Sequence, residues 1–296
     1  FTSTINVCII TYHPAIVLTP QIHYSIRKVP HPTVATSKGT VMFKPYRRPT
    51  VAVIGAGVTG CAAASECAFA GFDTTLFDKN SEIGGQFTSP NAPRVSRSFH
   101  FRTPYLRLTR TDGSPASISQ HLEAAVEASG AIFRGSTEVT AAEFDAEEGH
   151  WTVSYSGESG LESRSFDVLI RATGESSPWI SVPGRPHTKI DDLYLHHGIE
   201  VLGLPNTLFV DGPVPQDSYL KRHPLAAVEA RADHCRRYVR QLEIRGPGAL
   251  TVKHDKWLVQ PGTVRGIRTT LAGFDAGAHA FTTASNYDAQ TVSSTT

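Results

Sequence analysis

The pattern best suited to bind a ligand is a GxGxxG motif followed by an acidic residue. The glycines are Gly55, Gly57 and Gly60, and the acid, about 20 positions further on, is Asp78. Glycine permits a tight turn at the first position, close approach of a pyrophosphate at the second, and close packing of helix on strand at the third. The carboxylate accepts hydrogen bonds from a ribose and repels a 2′-phosphate. The pattern therefore predicts a site for the phosphates and ribose of a dinucleotide.

The flanking segments predict the elements that hold these residues. Residues 51–54 are apolar, which is typical of a buried parallel strand, and residues 58–70 are rich in alanine, which indicates a buried helix that ends at Gly71. Residues 74–77 predict a second strand that ends at Asp78. A glycine-rich turn without a ligand is the alternative, and a strand, helix and acid in this order argue against it.

A second glycine pair, Gly84 and Gly85, follows the acid in "FDKNSEIGGQF", residues 77–87. This segment resembles the acid-then-ExxGG signature of FAD-containing flavoproteins with two dinucleotide sites, particularly flavin-dependent monooxygenases of the Baeyer–Villiger and N-hydroxylating types. The resemblance implies that Asp78 binds the adenosine ribose of FAD and that the glycine pair lets the chain pass close to the flavin. The cofactor-binding residues predicted in this half of the site are Gly55, Gly57, Val58, Thr59, Gly60, Asp78, Lys79, Gly84, Gly85, Gln86 and Phe87.

Later segments follow the same family plan. "DVLIRATGESSPWISVPG", residues 167–184, resembles the ATG motif, in which Thr173 and Gly174 would allow the chain to cross near the cofactor. "GLPNTLFVDGPVPQ", residues 203–216, is similar to the late segment that returns to the flavin. The resemblance implies that Asp211 contacts the flavin or its ribityl chain, with a plain turn as the alternative, and that the backbone of Val139 meets the adenine.

The remaining elements complete an α/β fold. Helices are predicted over 119–129 and 225–242, and strands over 149–155, 166–171 and 207–210. We expect a Rossmann-like FAD-binding domain in which helices flank a parallel sheet, with a β-hairpin addition. The expected organisation is a poorly specified N-terminal extension at 1–49, a discontinuous FAD-binding domain at 50–245 and an irregular C-terminal tail at 246–296. Within this tail, 251–260 could form a hairpin arm.

The family's second dinucleotide site is not found in the sequence. The only later candidate, "RGPGAL" at 245–250, has neither a strand before it nor an apolar helix after it. The interval between Gly174 and Gly203 is shorter than the roughly 30 residues of a βαβ unit. We therefore expect the NADPH-binding domain to be missing near 175–200, although NADPH stays possible by family resemblance.

Two functions remain open at this stage. The first is an FAD-dependent, monooxygenase-like oxidoreductase that oxygenates a small organic substrate such as a ketone or a secondary metabolite, with an external reductase as a possible electron donor. The second is a catalytically silent FAD-binding remnant or truncated gene product with a structural or interaction role. No catalytic acid or base can be assigned from the sequence.

Composition and charge argue against several other classes of protein. The 28 basic and 27 acidic residues leave a net charge of +1, which gives no reason to expect a nucleic acid or an anionic membrane as partner. Apolar runs near the start of the chain are interrupted by His13 and Pro14 and are too short to span a membrane. Four cysteines without a CxxC pair suggest reduced thiols and a cytoplasmic location.

Histidines and arginines are the other candidate side chains. The 13 histidines show no metal-ligand spacing, so we expect no metal site and histidines that are solvated or in loops. His223 and His234 in particular have no acidic partner at such a spacing. Four arginines within 225–242 predict a solvated basic face, with a partner surface as the alternative: Arg231, Arg236, Arg237 and Arg240.

Overall fold

A computed structural model describes residues 47–92, 94–95, 111–145, 147–157, 160–174, 195–196, 199–201, 204–211, 224–246, 248–252 and 281–283. All of them belong to one unit, Tyr46–Thr296. The extension expected at 1–49 lies outside the described residues except for its last three.

The described residues form twelve strands, three α-helices and one 3-10 helix. Along the chain they are β1 Thr50–Ile54, α1 Val58–Phe69, β2 Asp73–Phe77, the 3-10 helix Gly85–Thr88, α2 Pro115–Ser129, β3 Ile132–Arg134, β4 Glu138–Asp145, β5 His150–Gly157, β6 Gly160–Phe166, β7 Val168–Arg171, β8 Leu195–His196, β9 Glu200–Val201, β10 Thr207–Phe209, α3 Pro224–Arg245, β11 Leu250–Val252 and β12 Phe281–Thr283.

The central sheet has seven strands in the order β3-β2-β1-β7-β10-β9-β8. Its first five strands are parallel, whereas β9 and β8 continue the sheet as antiparallel strands. Ile54 at the end of β1 pairs with Phe77 of β2 and with Arg171 of β7. The carboxyl ends of these strands therefore lie side by side, at the edge where ligands bind in open α/β sheets.

Alternate residues of the strands face two different cores. Val53 and Ile170 point into the core shared with the helices, which also contains Leu122 of α2 and Val239 of α3. Their neighbours Ile54 and Leu169 point into a second core, against the antiparallel sheet β4-β5-β6. Both faces of the sheet are therefore covered, which explains why β1 and β7 at its centre are almost continuous apolar runs.

The predicted α/β class is confirmed. The central strands are parallel, the described helices pack on one face, and the expected hairpin addition is the three-stranded sheet β4-β5-β6 on the other. In the expected tail, β11 pairs with β12; residues 253–260 of the suggested hairpin arm lie outside the described residues.

Two of the differences from the expected boundaries have a clear structural cause. Helix α2 begins at Pro115 rather than at 119, because Ser114 caps it by accepting a hydrogen bond from the Ser117 amide and proline suits the first helical position. The single strand expected at 166–171 is two strands separated by Asp167. The Asp167 carboxylate accepts a hydrogen bond from the Thr50 amide at 2.8 Å, which fixes this bend beside β1.

None of the helices among the described residues combines the length and the hydropathy that a membrane span requires.

The cysteines of the helical layer are expected to be chemically silent in the folded protein. Cys61, Cys67 and Cys235 are completely buried, and burial raises the pKa of each thiol well above its usual range. Since the thiolate is the reactive form, we expect a thiol reagent at pH 8 to label these three side chains only after denaturation. Mass spectrometry of labelled peptides with and without denaturant measures this; labelling of Cys61 in the native protein would contradict it.

Candidate functional site

Four segments meet at the carboxyl edge of the parallel strands. They begin at Gly55 after β1, Asp78 after β2, Ala172 after β7 and Val210 after β10. The strand order reverses between β1 and β7, because β2 and β3 lie to one side of this point and β10 to the other. Such a reversal leaves a crevice at the strand ends, where ligands of open α/β sheets bind.

The first glycine loop is packed too tightly for side chains. Gly55 has φ +105°, and a Cβ there would lie 2.3 Å from the Ala172 carbonyl oxygen. A Cβ on Gly60 would lie 1.8 Å from the Gly55 carbonyl oxygen. These two glycines thus let β1, the start of α1 and the segment after β7 pack against one another.

The N-terminus of α1 opens at this edge. Gly57 is its N-cap residue, no side chain of the described residues caps it, and Val58 and Thr59 in its first turn are partly exposed. The first amides of a helix lack partners within the helix and carry its positive partial charge. This end of α1 therefore has the character of a phosphate site.

Asp78 lies directly beside the first loop. Its Oδ2 accepts a hydrogen bond from the Ala56 amide at 2.6 Å, and its Oδ1 accepts one from the Asn80 amide at 2.8 Å. Its side chain remains partly exposed, and the neighbouring Lys79 is exposed. The carboxylate thus orders the loop and can still accept hydrogen bonds from a ligand.

The second glycine pair packs against the first loop. The Gly84 amide donates a hydrogen bond to the Ala56 carbonyl at 2.9 Å. Gly85 has φ +56°, and a Cβ there would lie 2.8 Å from the Cα of Gly57. The backbone of Ala56 therefore joins Asp78 to the second glycine pair: its amide donates to Asp78, and its carbonyl accepts from Gly84. The two glycine segments come within backbone contact.

The other residues of the predicted half-site are divided between surface and core. Gln86 is exposed next to the glycine pair, whereas Phe87 is only 4% exposed and packs in the core shared with the helices. Val139 is buried in β4, which is held near Asp78 because the Thr137 amide donates to the Asp78 carbonyl at 2.8 Å. The structure thus brings β4 to the acid and turns the Phe87 ring away from the surface.

Thr173, Gly174 and Asp211 form the other half of the crevice. The Asp211 Oδ2 accepts a hydrogen bond from the Gly174 amide at 2.9 Å and lies 2.9 Å from Nη1 of Arg171. Burial raises the pKa of Asp211, an effect opposed chiefly by the charge of Arg171. Burial likewise lowers the pKa of Arg171.

Two arginines near this half-site were missed by sequence reasoning. Arg171, at the end of β7, is 1% exposed, and Arg231 is 3% exposed and donates a hydrogen bond to the Val210 carbonyl at 2.8 Å. The assignment of Arg231 to a solvated basic face is therefore wrong, because α3 turns this side chain towards the end of β10. An arginine at the end of the apolar run "VLIR" was the available signal for Arg171.

The expectation of solvated or loop histidines is wrong for two of them. His234 of α3 is 1% exposed and pairs with Glu200 of β9, itself 3% exposed. His121 of α2 is completely buried. Sequence reasoning missed the His234–Glu200 pair because the two residues lie on different elements and meet only when α3 packs on the sheet.

Comparison with known proteins gives a domain-level match. A family described as an NAD(P)-binding Rossmann-like domain matches residues 53–113, which confirms the Rossmann-like character of the fold. A 4,4′-diapophytoene desaturase of Staphylococcus aureus is 56% identical over 36 residues, which are 12% of this chain and 7% of the desaturase.

Solved structures resemble part of the chain. Cyclohexanone monooxygenase from Rhodococcus sp. Phi1 bound to NADP+ matches with 26% identity and a TM-score of 0.37, over 45% of this chain and 27% of that one. S-allyl-L-cysteine S-oxygenase from Allium sativum matches with 24% identity and a TM-score of 0.34, over 44% of this chain and 37% of that one. The matched region thus spans well under half of either enzyme, and at these TM-scores the likeness carries no argument about activity.

Proposed function

We propose that this chain binds FAD and belongs to an FAD-dependent oxidoreductase of the monooxygenase type that acts on a small organic substrate. The observation that carries the proposal is the backbone contact between the two glycine segments, Gly57 against Gly85, beside the carboxylate of Asp78. A plain nicotinamide site needs the first loop and the acid, but it does not need a second glycine pair packed against that loop.

The residues present fit the adenosine and phosphate parts of FAD. A Cβ at Gly85 would lie 2.8 Å from the Cα of Gly57, so the two glycine segments lie this close only because position 85 is glycine. We assign the pyrophosphate to the first turn of α1, including Val58 and Thr59, and the ribose to Asp78. We place the adenine and ribose beside Lys79, Gln86 and the backbone of Val139. The far side of the crevice is formed by Thr173, Gly174 and Asp211.

The protein part of the mechanism is binding and orientation. When bound, FAD supplies the redox chemistry, and the protein orients it against the substrate. Helix α1 holds negative charge at its positive end, and Asp78 discriminates against a 2′-phosphate by charge repulsion. Phe87, packed in the core, anchors the glycine pair rather than lining the site.

Two versions of this proposal differ in the electron donor that reduces the flavin. The resemblance to two-dinucleotide flavoproteins favours NADPH, whereas the short interval between Gly174 and Gly203 favours a missing NADPH domain and an external reductase. An FAD-binding chain without catalysis is the remaining candidate. Anaerobic addition of NADPH to the FAD-loaded protein tests direct reduction: bleaching of the flavin absorbance supports it, and an unchanged spectrum supports a separate donor or a silent protein.

FAD binding is tested by titration, with Gly85→Ala as the decisive variant. We expect the wild-type protein to bind FAD with resolved shoulders in the visible spectrum. Gly85→Ala should weaken the affinity about tenfold or more, because its Cβ forces the two glycine segments apart at a cost of about 1–3 kcal/mol. Quenching of flavin fluorescence gives both dissociation constants.

Gly130→Ala is the matched control. Gly130 also has a positive φ, +79°, but nothing lies within 4 Å of its Cβ position at the end of α2. This variant should lose some stability and retain the wild-type affinity. A wild-type protein that stays colourless with added FAD would refute the proposed function.

A further inference from the structure

Arg171 and Asp211 form a buried ion pair across two adjacent parallel strands. Their side chains are 1% and 6% exposed, and Nη1 of Arg171 lies 2.9 Å from Oδ2 and 3.1 Å from Oδ1 of Asp211. Removing two charges from water is unfavourable, and a pair of apolar side chains in the same space would often be as stable or more so. Stability alone therefore gives no reason for this pair.

The pair instead controls the conformation of one turn. Gly174 has φ +80° and is exposed at the crevice, and its amide donates to Oδ2 of Asp211 at 2.9 Å. The hydroxyl of Thr173 lies 3.5 Å from the same oxygen. The two strands are also joined at this level, since the Val210 amide donates to the Arg171 carbonyl at 3.0 Å. The turn after β7 is thus fixed by a carboxylate in the segment that follows β10.

The turn lies next to the first glycine loop. Ala172, which precedes it, supplies the carbonyl oxygen that would lie 2.3 Å from a Cβ on Gly55, and its amide donates to the Ile54 carbonyl at 2.8 Å. A change in the direction of the turn would therefore move the wall of the crevice facing the proposed cofactor.

We propose that the Arg171–Asp211 pair is a positioning element that fixes the Thr173–Gly174 turn against the cofactor. Arg171 places a countercharge beside the buried Asp211 carboxylate, and Asp211 accepts the hydrogen bond from the Gly174 amide. Neither side chain has to touch the cofactor for this role. The inference rests on the proposed binding of FAD, and it replaces a direct flavin contact of Asp211 with action through the turn.

Three variants test the role with two measurements. Asp211→Ala removes the acceptor, Arg171→Met removes the countercharge in contact with the carboxylate and leaves the charge of Arg231, and the double variant Arg171→Met/Asp211→Asn restores a neutral acceptor. We expect each single variant to weaken FAD binding about tenfold, the size of a lost hydrogen bond to a charged group. The double variant should bind within about threefold of the wild-type protein, because removing both charges together is often neutral.

The second measurement needs no cofactor. Hydrogen exchange of the Gly174 amide, followed by mass spectrometry on the FAD-free protein, should accelerate in both single variants and return towards the wild-type rate in the double variant. Recovery of both exchange and affinity in the double variant supports the positioning role. An unchanged exchange rate in Asp211→Ala overturns it.

Asp167 is the matched control at the opposite edge of the sheet. Its carboxylate also accepts from a backbone amide and pairs with an arginine, Arg47 at 2.7 Å, but it precedes β7 instead of following it. Asp167→Asn should lower the melting temperature and leave the FAD dissociation constant unchanged. If Asp167→Asn weakened FAD binding equally, the effect of Asp211→Ala would reflect a general loss of stability, and the proposal would be overturned.

If the wild-type protein binds no FAD, the proposed function and the role towards the cofactor fall together. If it binds FAD and Asp211→Ala binds equally well, only the positioning role falls. Circular dichroism melts of every variant, with binding measured well below each midpoint, keep these outcomes separate.

Discussion

Gly60→Ala is expected to destabilise the folded protein by about 3 kcal/mol, the upper part of the usual range for an overpacked site. In an isolated helix the same change would stabilise by about 1 kcal/mol, because alanine is the better helix former. The sign is reversed here because the new Cβ would lie 1.8 Å from the Gly55 carbonyl oxygen and 3.1 Å from the Ala172 Cβ. Backbone atoms on one side and a short side chain on the other leave little freedom to relax.

Guanidinium unfolding followed by circular dichroism measures this difference. Gly157→Ala is the control, since its Cβ would make an ordinary contact, 3.7 Å from the Thr137 hydroxyl, and should change the free energy of unfolding little. FAD affinity should fall in Gly60→Ala as well, because the collision displaces the first loop. A Gly60→Ala protein as stable as the wild type would contradict the close packing of β1, α1 and the segment after β7.

Asn206→Ala is the second change with a large expected effect, a loss of about 3 kcal/mol or more, because each buried polar group left unpaired costs about 1–3 kcal/mol. Asn206 is completely buried. Its Oδ1 accepts from the Leu250 amide at 2.7 Å, and its Nδ2 donates to the Gly149 carbonyl at 3.0 Å and the Gly248 carbonyl at 2.9 Å. One side chain thus ties β10 to the β4–β5 turn and to the segment after α3.

The backbone conformation of Asn206 makes a smaller contribution to the loss of stability expected for Asn206→Ala. Its φ is +53°, a region that asparagine tolerates better than alanine. Ser136→Ala is the control for this contribution, because Ser136 has φ +50° and is exposed. Chemical denaturation should show a small loss for Ser136→Ala and a large one for Asn206→Ala; equal losses would mean that the three hydrogen bonds contribute little.

Local sequence patterns predicted much of the fold. The strand before Gly55, the helix after it and the strand that ends at Asp78 were placed within one residue, because glycine, apolar runs and an acid at strand ends act locally. The start of α2 was misplaced although its signal, Ser114 followed by Pro115, was present. The bend at Asp167 was missed because its hydrogen bonds are made to Thr50, far away in sequence.

The candidate site likewise contains residues that the sequence predicted and residues that it did not. Spacing predicted Gly55, Gly57, Gly60 and Asp78, and the family resemblance added Gly84 and Gly85, because these residues stand in short contiguous motifs. Sequence reasoning could not show that Gly85 packs on Gly57. It also missed Arg171 and Arg231, because arginine is usually exposed and only a partner on another element offsets part of the cost of burying it.

The sequence by itself thus determined the α/β class, the first glycine loop and the acid beside it, because short-range conformational preferences and the period of apolar residues define them. Tertiary structure alone decided which strand ends are neighbours, that Asp211 is held by Arg171 and holds Gly174, and that His234 is buried against Glu200. These contacts join residues distant in sequence. Their energies depend on burial and on the distance to the partner's charge, and both are set only when the sheet and the helices have packed together.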